Sequence, residues 1–310
     1  MRRRDFLRLF TVGTAGMMGG KPLALSSRAA PTPFEVYLTF DDGPTTERDH
    51  SGPTTEVLDL LADEGIKASF FLHGRSINPW EGQTLVRIVR EGHALGNHLW
   101  RQGGNTVRDE TSYTVLAQQF IEAEMRIRLD LESADPEAYQ RYLQVPHLYR
   151  RPGGNNGLAP FLDLKNFSVL EKSPVLRWYQ DKLDWLKGVY DYSGWHLTSG
   201  DGIPAVKVHP TTVEECVRWA MQGGYGYYGV DDYLCWQKRR SLDARLGLVV
   251  LMHDASDLGR KALPQIIKEM RARGAVFRAL PRPTDRPNAF TVGIGNDPLA
   301  DPAGEACEGG

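Results

Sequence analysis

A wholly apolar run at 246–252 stops abruptly at His253-Asp254, and this run most constrains what the chain can fold into. It is too short for a self-burying helix and lacks the alternation of a strand with one wet face. It therefore marks a strand covered on both sides. A helical pattern follows over 261–273, closed by Gly274, and then a last strand at 275–280. The same unit recurs upstream. Strands are expected at 34–40, 67–72, 94–98, 147–150 and 189–198. Helices are expected at 54–64, 85–91, about 110–131 and 213–221. In the first helix Val57, Leu58, Leu60 and Leu61 share a face; in the long one Leu116, Phe120, Ile121, Met125 and Leu129 fall at helical spacing. Repeated βα units with apolar strands mean a parallel sheet covered by helices, an α/β architecture. A polar or charged residue ends nearly every strand, which favours a barrel whose chemistry collects at the strands' C-terminal ends.

The length of 310 residues suits one large domain, and the composition is that of an ordinary soluble protein. Residues 1–30 hold Arg2, Arg3, Arg4, Arg8, Lys21 and Arg28 against Asp5 alone; taking this +5 from the net −2 leaves a body near −7. A mildly acidic body without a basic stripe gives no electrostatic reason to bind nucleic acid. Arg3-Arg4-Asp5-Phe6-Leu7-Arg8 matches the twin-arginine export pattern, and a weakly apolar run and a small-residue stretch to Ala29-Ala30 follow it. The run is too short for a stable membrane span. The expectation is recognition by the twin-arginine export machinery. Export of the folded protein would be to the periplasm, or to the cell envelope or extracellular space. The cysteines, Cys216, Cys235 and Cys307, lack metal-type spacing; a Cys216–Cys235 bridge and idle buried thiols both fit.

The strongest local signal is Thr39-Phe40-Asp41-Asp42-Gly43-Pro44. Two adjacent carboxylates at a strand end are costly to bury unless a cation or proton neutralises them. Four more groups fall at strand ends in order: Gly92-His93-Ala94-Leu95-Gly96-Asn97-His98, Tyr149-Arg150-Arg151-Pro152-Gly153-Gly154, Trp195 with Asp201, and Leu251-Met252-His253-Asp254. Together they resemble the five motifs of the NodB homology domain of polysaccharide deacetylases and family 4 carbohydrate esterases, over roughly 36–280.

The resemblance implies an irregular (β/α) barrel, often of seven strands, at 34–280. It implies Asp42 and His98 as ligands of a divalent metal, typically Zn2+. Asp41 would be the general base, kept charged by Arg150, and His253 the general acid, tuned by Asp201. The backbone at Gly153 would help bind the oxyanion, Leu251 would line the acetyl pocket, and Trp195 would contact the substrate. The implied reaction is removal of N-acetyl groups from an envelope or extracellular polysaccharide. An O-acetyl esterase and a non-catalytic carbohydrate-binding relic are the alternatives.

The pattern breaks at the second metal-binding histidine, where Gln102 stands. Its amide oxygen is a poor zinc ligand. Either Gln102 or water completes a weaker site, or another histidine does, His50 before His196. Thr198 stands where Asp is usual, Gly202 where Trp is usual, and Arg151 is a neighbouring alternative to Arg150. Stretches near 45–53, 161–187 and 223–241 read as insertions; the last two carry Trp178, Trp185, Tyr225, Tyr227, Tyr228, Tyr233 and Trp236. Such aromatic loops suit sugar rings, or simply pack on themselves. Residues 281–310 read as a flexible tail.

Overall fold

Strands buried on both faces sort their side chains by parity, and this parity organises the molecule. The computed structural model describes residues 31–100, 113–145, 147–150, 152, 190–192, 195, 197–202, 209–224, 229–240 and 247–280. The strands are β1 (Phe34–Gly43), β2 (Ser69–Leu72), β3 (Ala94–Asn97), β4 (His147–Tyr149), β5 (Tyr190–Tyr192), β6 (Leu197–Thr198), β7 (Leu248–His253) and β8 (Ala275–Phe277). The helices are α1 (Pro53–Asp63), α2 (Gly82–Arg90), α3 (Tyr113–Ala134), α4 (Pro136–Gln144), α5 (Val213–Gln222), α6 (Val230–Arg240) and α7 (Asp257–Ala272).

The sheet runs β5-β4-β3-β2-β1-β7-β6, with every pairing parallel. These seven strands form the expected irregular (β/α) barrel. Among the described residues no ladder joins β5 to β6. Strand β8 is an addition. Val36 pairs with Leu248 on one side and Phe277 on the other, so β8 takes the N-terminal part of the β1 edge that β2 takes further on.

Val36, Leu38 and Phe40 of β1 face outward into the main core with Val57, Leu58 and Leu61 of α1 and Leu263, Ile266 and Ile267 of α7. Burying each such aliphatic side chain contributes roughly 1.5–3 kcal/mol. Tyr37, Phe71, Leu148, Trp195, Val249, Leu251 and Leu280 form a smaller cluster inside the barrel. Gly96 belongs to the inward set. A Cβ there would lie 2.6 Å from the Phe71 ring, so only glycine lets that ring fill the interior.

Local sequence sets the helix starts. Asp135 caps α4 by accepting from the Glu137 and Ala138 amides, and Pro136 sits where no amide donor is needed. Thr212 caps α5 and Ser256 caps α7 through the amides of Glu215 and Gly259. No described helix is long and apolar enough to cross a membrane.

Several expectations need correction. Segment 189–198 is two short strands, β5 and β6. The stretch 223–241 contains α6, whose Val230 and Tyr233 belong to the core, so Tyr233 is not a loop aromatic. Helix α4 was not expected. In α3 the buried stripe runs through Phe120, Ala123, Ile127 and Leu131, whereas Leu129 is exposed. Cys216 is a buried free thiol, so the Cys216–Cys235 bridge does not form. Segments 1–30, 161–187 and 281–310 lie outside the described residues.

Candidate functional site

The inward parity that fills the barrel with Tyr37, Phe71, Gly96, Leu148 and Val249 continues past the strand ends. There it aims Asp41, His73, His98, Arg150 and His253 at one place. Asp41 is register-paired with Phe71 on β2 and with His253 on β7.

Consecutive strand residues point to opposite faces, so Asp41 and Asp42 should not share a site. The backbone resolves this conflict. Asp42 has φ 72, and the β1–β2 register shifts between Asp41 and Gly43. This left-handed turn, which Asp tolerates better than most residues, brings the second carboxylate back to the first. Gly43 is needed beside it, because a Cβ there would meet Asp254 Oδ2 at 2.4 Å. Asp254 is fully buried, and that burial pushes its carboxyl up to about 6. Its Oδ2 accepts from Thr54 Oγ1 at 2.5 Å, while Thr45 N donates to the same hydroxyl at 2.7 Å. The loop after β1 is thereby tied to the end of β7.

Arg150 is completely buried and works at both ends. Its Nη1 donates to Asp41 Oδ1 and to Thr39 Oγ1, each at 2.7 Å, and its guanidinium stacks 4.1 Å from the Phe71 ring centre. Its backbone oxygen accepts from His98 Nδ1 at 2.8 Å. A carbonyl can only accept, so His98 carries its proton on Nδ1 and presents the Nε2 lone pair to the site. That Nε2 lies 3.3 Å from Asp42 Oδ1 and 3.6 Å from Asp41 Oδ2.

A second imidazole comes from a residue the sequence reading did not single out. His73 follows β2, and its Nε2 lies 2.9 Å from Asp42 Oδ1. Donor atoms of Asp42, His73 and His98 all fall within 4.8 Å of one another. Donors around a tetrahedral zinc with 2.0–2.1 Å bonds stand about 3.3 Å apart, so the group fits a divalent cation. Burial opposes the Asp42 charge, but the His73 and His98 imidazoles beside it, with His253 further off, outweigh burial and hold the carboxyl well below the usual range. Burial, with the neighbouring His98, keeps His73 below its ordinary value and hence neutral at pH 7. Ionised carboxylate and neutral imidazole are the forms a cation needs.

The structure does not bring His50 to this group. His50 sits in an exposed turn with φ 65, its amide bonded to Glu47 O and its carbonyl accepting from Thr55 Oγ1. Gln102, Gly153, Arg151 and His196 lie outside the described residues.

Across the site, His253 Nδ1 meets Asp201 Oδ1 at 3.2 Å and its amide donates to Asp201 Oδ2 at 2.9 Å. Ser199 Oγ donates to the same Oδ1 at 2.8 Å. Gly259 admits this carboxylate, since a Cβ there would lie 2.2 Å from Asp201 Oδ2. Burial alone would lower the His253 pKa; the Asp201 hydrogen bond and charge, helped by Asp42 and Asp41, raise it to about 9. A Cβ on Gly202 would stand 2.0 Å from His253 Cε1, so the Trp usual at that motif position has no room against this ring. Trp195 and Leu251 are both buried in the interior cluster, with the Trp195 ring centre 5.5 Å from the Arg150 guanidinium.

Residues 28–165 match the family model described as polysaccharide deacetylase. The chain is 36% identical over 95 residues to a chitin deacetylase of Pestalotiopsis sp, covering 30% of each chain. It is 30% identical over 155 residues to a peptidoglycan-N-acetylglucosamine deacetylase of Bacillus cereus, covering 50% of this chain and 47% of that protein. These matches thus span about a third to a half of the relatives' length. The solved structure of a Streptococcus mutans family 4 carbohydrate esterase superposes with TM-score 0.50 at 25% identity, over 81% of this chain and 88% of that one.

Proposed function

We propose, from the premise that this chain carries a polysaccharide deacetylase domain of the family 4 carbohydrate esterase kind, that it is a metal-dependent hydrolase removing N-acetyl groups from an envelope or extracellular polysaccharide. One observation carries the reading. A cation-ready group of Asp42, His73 and His98 stands between a carboxylate fixed by Arg150 and an imidazole backed by Asp201.

A divalent cation held there, Zn2+ as the leading candidate, would polarise the scissile carbonyl and lower the pKa of water. Asp41, with Oδ1 fixed by Arg150, offers Oδ2 as the acceptor for the proton lost by the attacking water. His253, with Nδ1 on Asp201, presents Nε2 as the donor to the departing nitrogen. The carbon–nitrogen bond breaks, and acetate and a free amine leave. Leu251 suits the wall of an acetyl-sized pocket, and Trp195 backs Arg150 beside it. Gly153 is proposed as an oxyanion donor on the motif alone. The twin-arginine pattern in residues 3–8 supports export in the folded state to the periplasm or envelope.

Metal analysis of the purified protein, with acetate release from acetylated chito-oligosaccharides and acetylxylan, tests the reading. The expected result is bound divalent metal and acetate from the chito-oligosaccharides, lost on chelation and restored by Zn2+ or Co2+. Release from acetylxylan alone would move the assignment to an O-acetyl esterase. Bound metal with no release from either would remove the deacetylase assignment for these substrates.

A further inference from the structure

We infer that His73 is the third protein ligand of the cation, standing in for the imidazole that the motif pattern places at residue 102. The site is then assembled wholly from the ends of β1, β2 and β3. This deepens the metal-dependent reading above and rests on it.

Three observations converge on His73. The first is parity: Ser69 and Phe71 point into the barrel, Phe71 at the level of Asp41, so His73, two residues further on, faces the same interior just past that level. The second is rigid mounting. The ladder continues beyond the strands, with His73 N donating to Gly43 O and His98 N to Leu72 O, each at 2.9 Å. Gly74 N then bonds Leu99 O at 3.0 Å and Arg75 N bonds Trp100 O at 2.7 Å. The backbones that carry the two imidazoles are therefore joined on both sides of the site. Gly74 permits this approach, because a Cβ there would lie 2.6 Å from Ala123 Cα and from the Trp100 ring. The third is chemistry. The His73 side chain is 4% exposed, its Nε2 faces Asp42, and its Nδ1 has no hydrogen-bond partner among the described residues. A position inside a barrel wall that needed only bulk would hold an apolar residue, without stranding a polar nitrogen. The ring instead lies 4.6 Å from the His98 ring, tilted by 35°, as neighbouring ligands of one ion would.

The two histidines differ in support. His98 Nδ1 is anchored on Arg150 O, whereas His73 Nδ1 has no such anchor. Outer contacts of this kind orient a ligand and raise its basicity, so His98 is the firm ligand and His73 the weaker one.

Titration of the metal-free full chain with Zn2+ or Co2+, read by calorimetry and by long-range 15N spectra of the imidazoles, tests this without substrate. Two imidazole Nε2 resonances should shift on metal binding, and His73→Gln should remove one of them. His73→Ala should weaken metal binding about a hundredfold or more, Gln102→Ala should leave it within about threefold, and His73→Ala/Gln102→His should regain most of the loss. If His73→Ala unfolds the chain, His73→Gln, which keeps a polar group beside Asp42, gives the same comparison. Undiminished affinity in both His73 variants, loss of affinity in Gln102→Ala, or no binding by the unaltered chain would overturn the inference. Binding that depends on His73 without acetate release would leave it standing and remove only the deacetylase assignment.

Discussion

Asp41 and His253 are register partners in the β1–β7 ladder, so the proposed base and acid stand on adjacent strands and face the same interior. Their separation is therefore set by the sheet and not by a loop. Each is held by a buried partner, Asp41 by Arg150 just past β4 and His253 by Asp201 in the turn after β6.

Asp41→Asn and His253→Gln should each lower kcat by about a hundredfold to ten-thousandfold, the range of a lost general base or acid. His253 Nε2 is 3.9 Å from Asp42 Oδ2 and outside the cation-ready group, so His253→Gln should keep its metal. Steady-state acetate release with metal analysis of each variant checks both points. Loss of metal from His253→Gln would place that ring among the ligands instead.

Removing the Arg150 guanidinium strands the buried Asp41 carboxylate. Arg150→Met should cost roughly 3–5 kcal/mol of stability, the range for breaking one side of a buried ion pair. The backbone oxygen that orients His98 remains, so metal affinity should suffer less than activity. Denaturant unfolding and metal titration of this variant would show both; unchanged stability contradicts the structural role given to the pair.

Gly202→Ala places a methyl group where the His253 ring now lies. The ring must move off Asp201, and kcat should fall at least about tenfold with metal content unchanged. Wild-type kcat in this variant would mean that the ring has another productive position.

His93 sets an acid limit on stability away from the site. It accepts from Ala68 N at 3.1 Å and packs edge-on to Phe70; burial, and then Lys67, depress its pKa to about 4. The unfolded chain, with an ordinary value near 6.5, takes up this proton first. The contribution is therefore whole above about pH 6.5, declines as pH falls through the window to about 4, and amounts to about 3 kcal/mol when fully lost. Urea midpoints from pH 7 to 4 for the unaltered chain and His93→Gln should converge at low pH. Parallel curves would show that His93 is not the group responsible.

Much of this arrangement was legible in the residues. The apolar runs that end at Asp41 and His253 mark two of the strand ends directly, whereas Asp42, His98, Arg150 and Asp201 were legible through the motif resemblance. His73 lies just past the apolar run that ends at Leu72, and only the alternation of Ser69 and Phe71, carried one step further, marks it. The flip at Asp42 was not legible, since adjacent aspartates in an extended strand diverge and only the φ of 72 reunites them. Helix α6 was obscured by the Gly/Tyr-rich segment before it. Leu129 misled because apolar residues at helical spacing define more than one candidate face, and only the packing partner selects between them.

Arg150 makes the two sides of the site unequal in how they respond to change. Its main chain aims His98, a proposed metal ligand, and its side chain aims Asp41, the proposed base, so a change that moves the end of β4 disturbs both together. His253, the proposed acid, hangs from a separate mount, Asp201 with Ser199 and Gly259. Substitutions around Asp201 therefore act on the proposed acid alone, whereas one at the end of β4 reaches the proposed ligand and the proposed base at once.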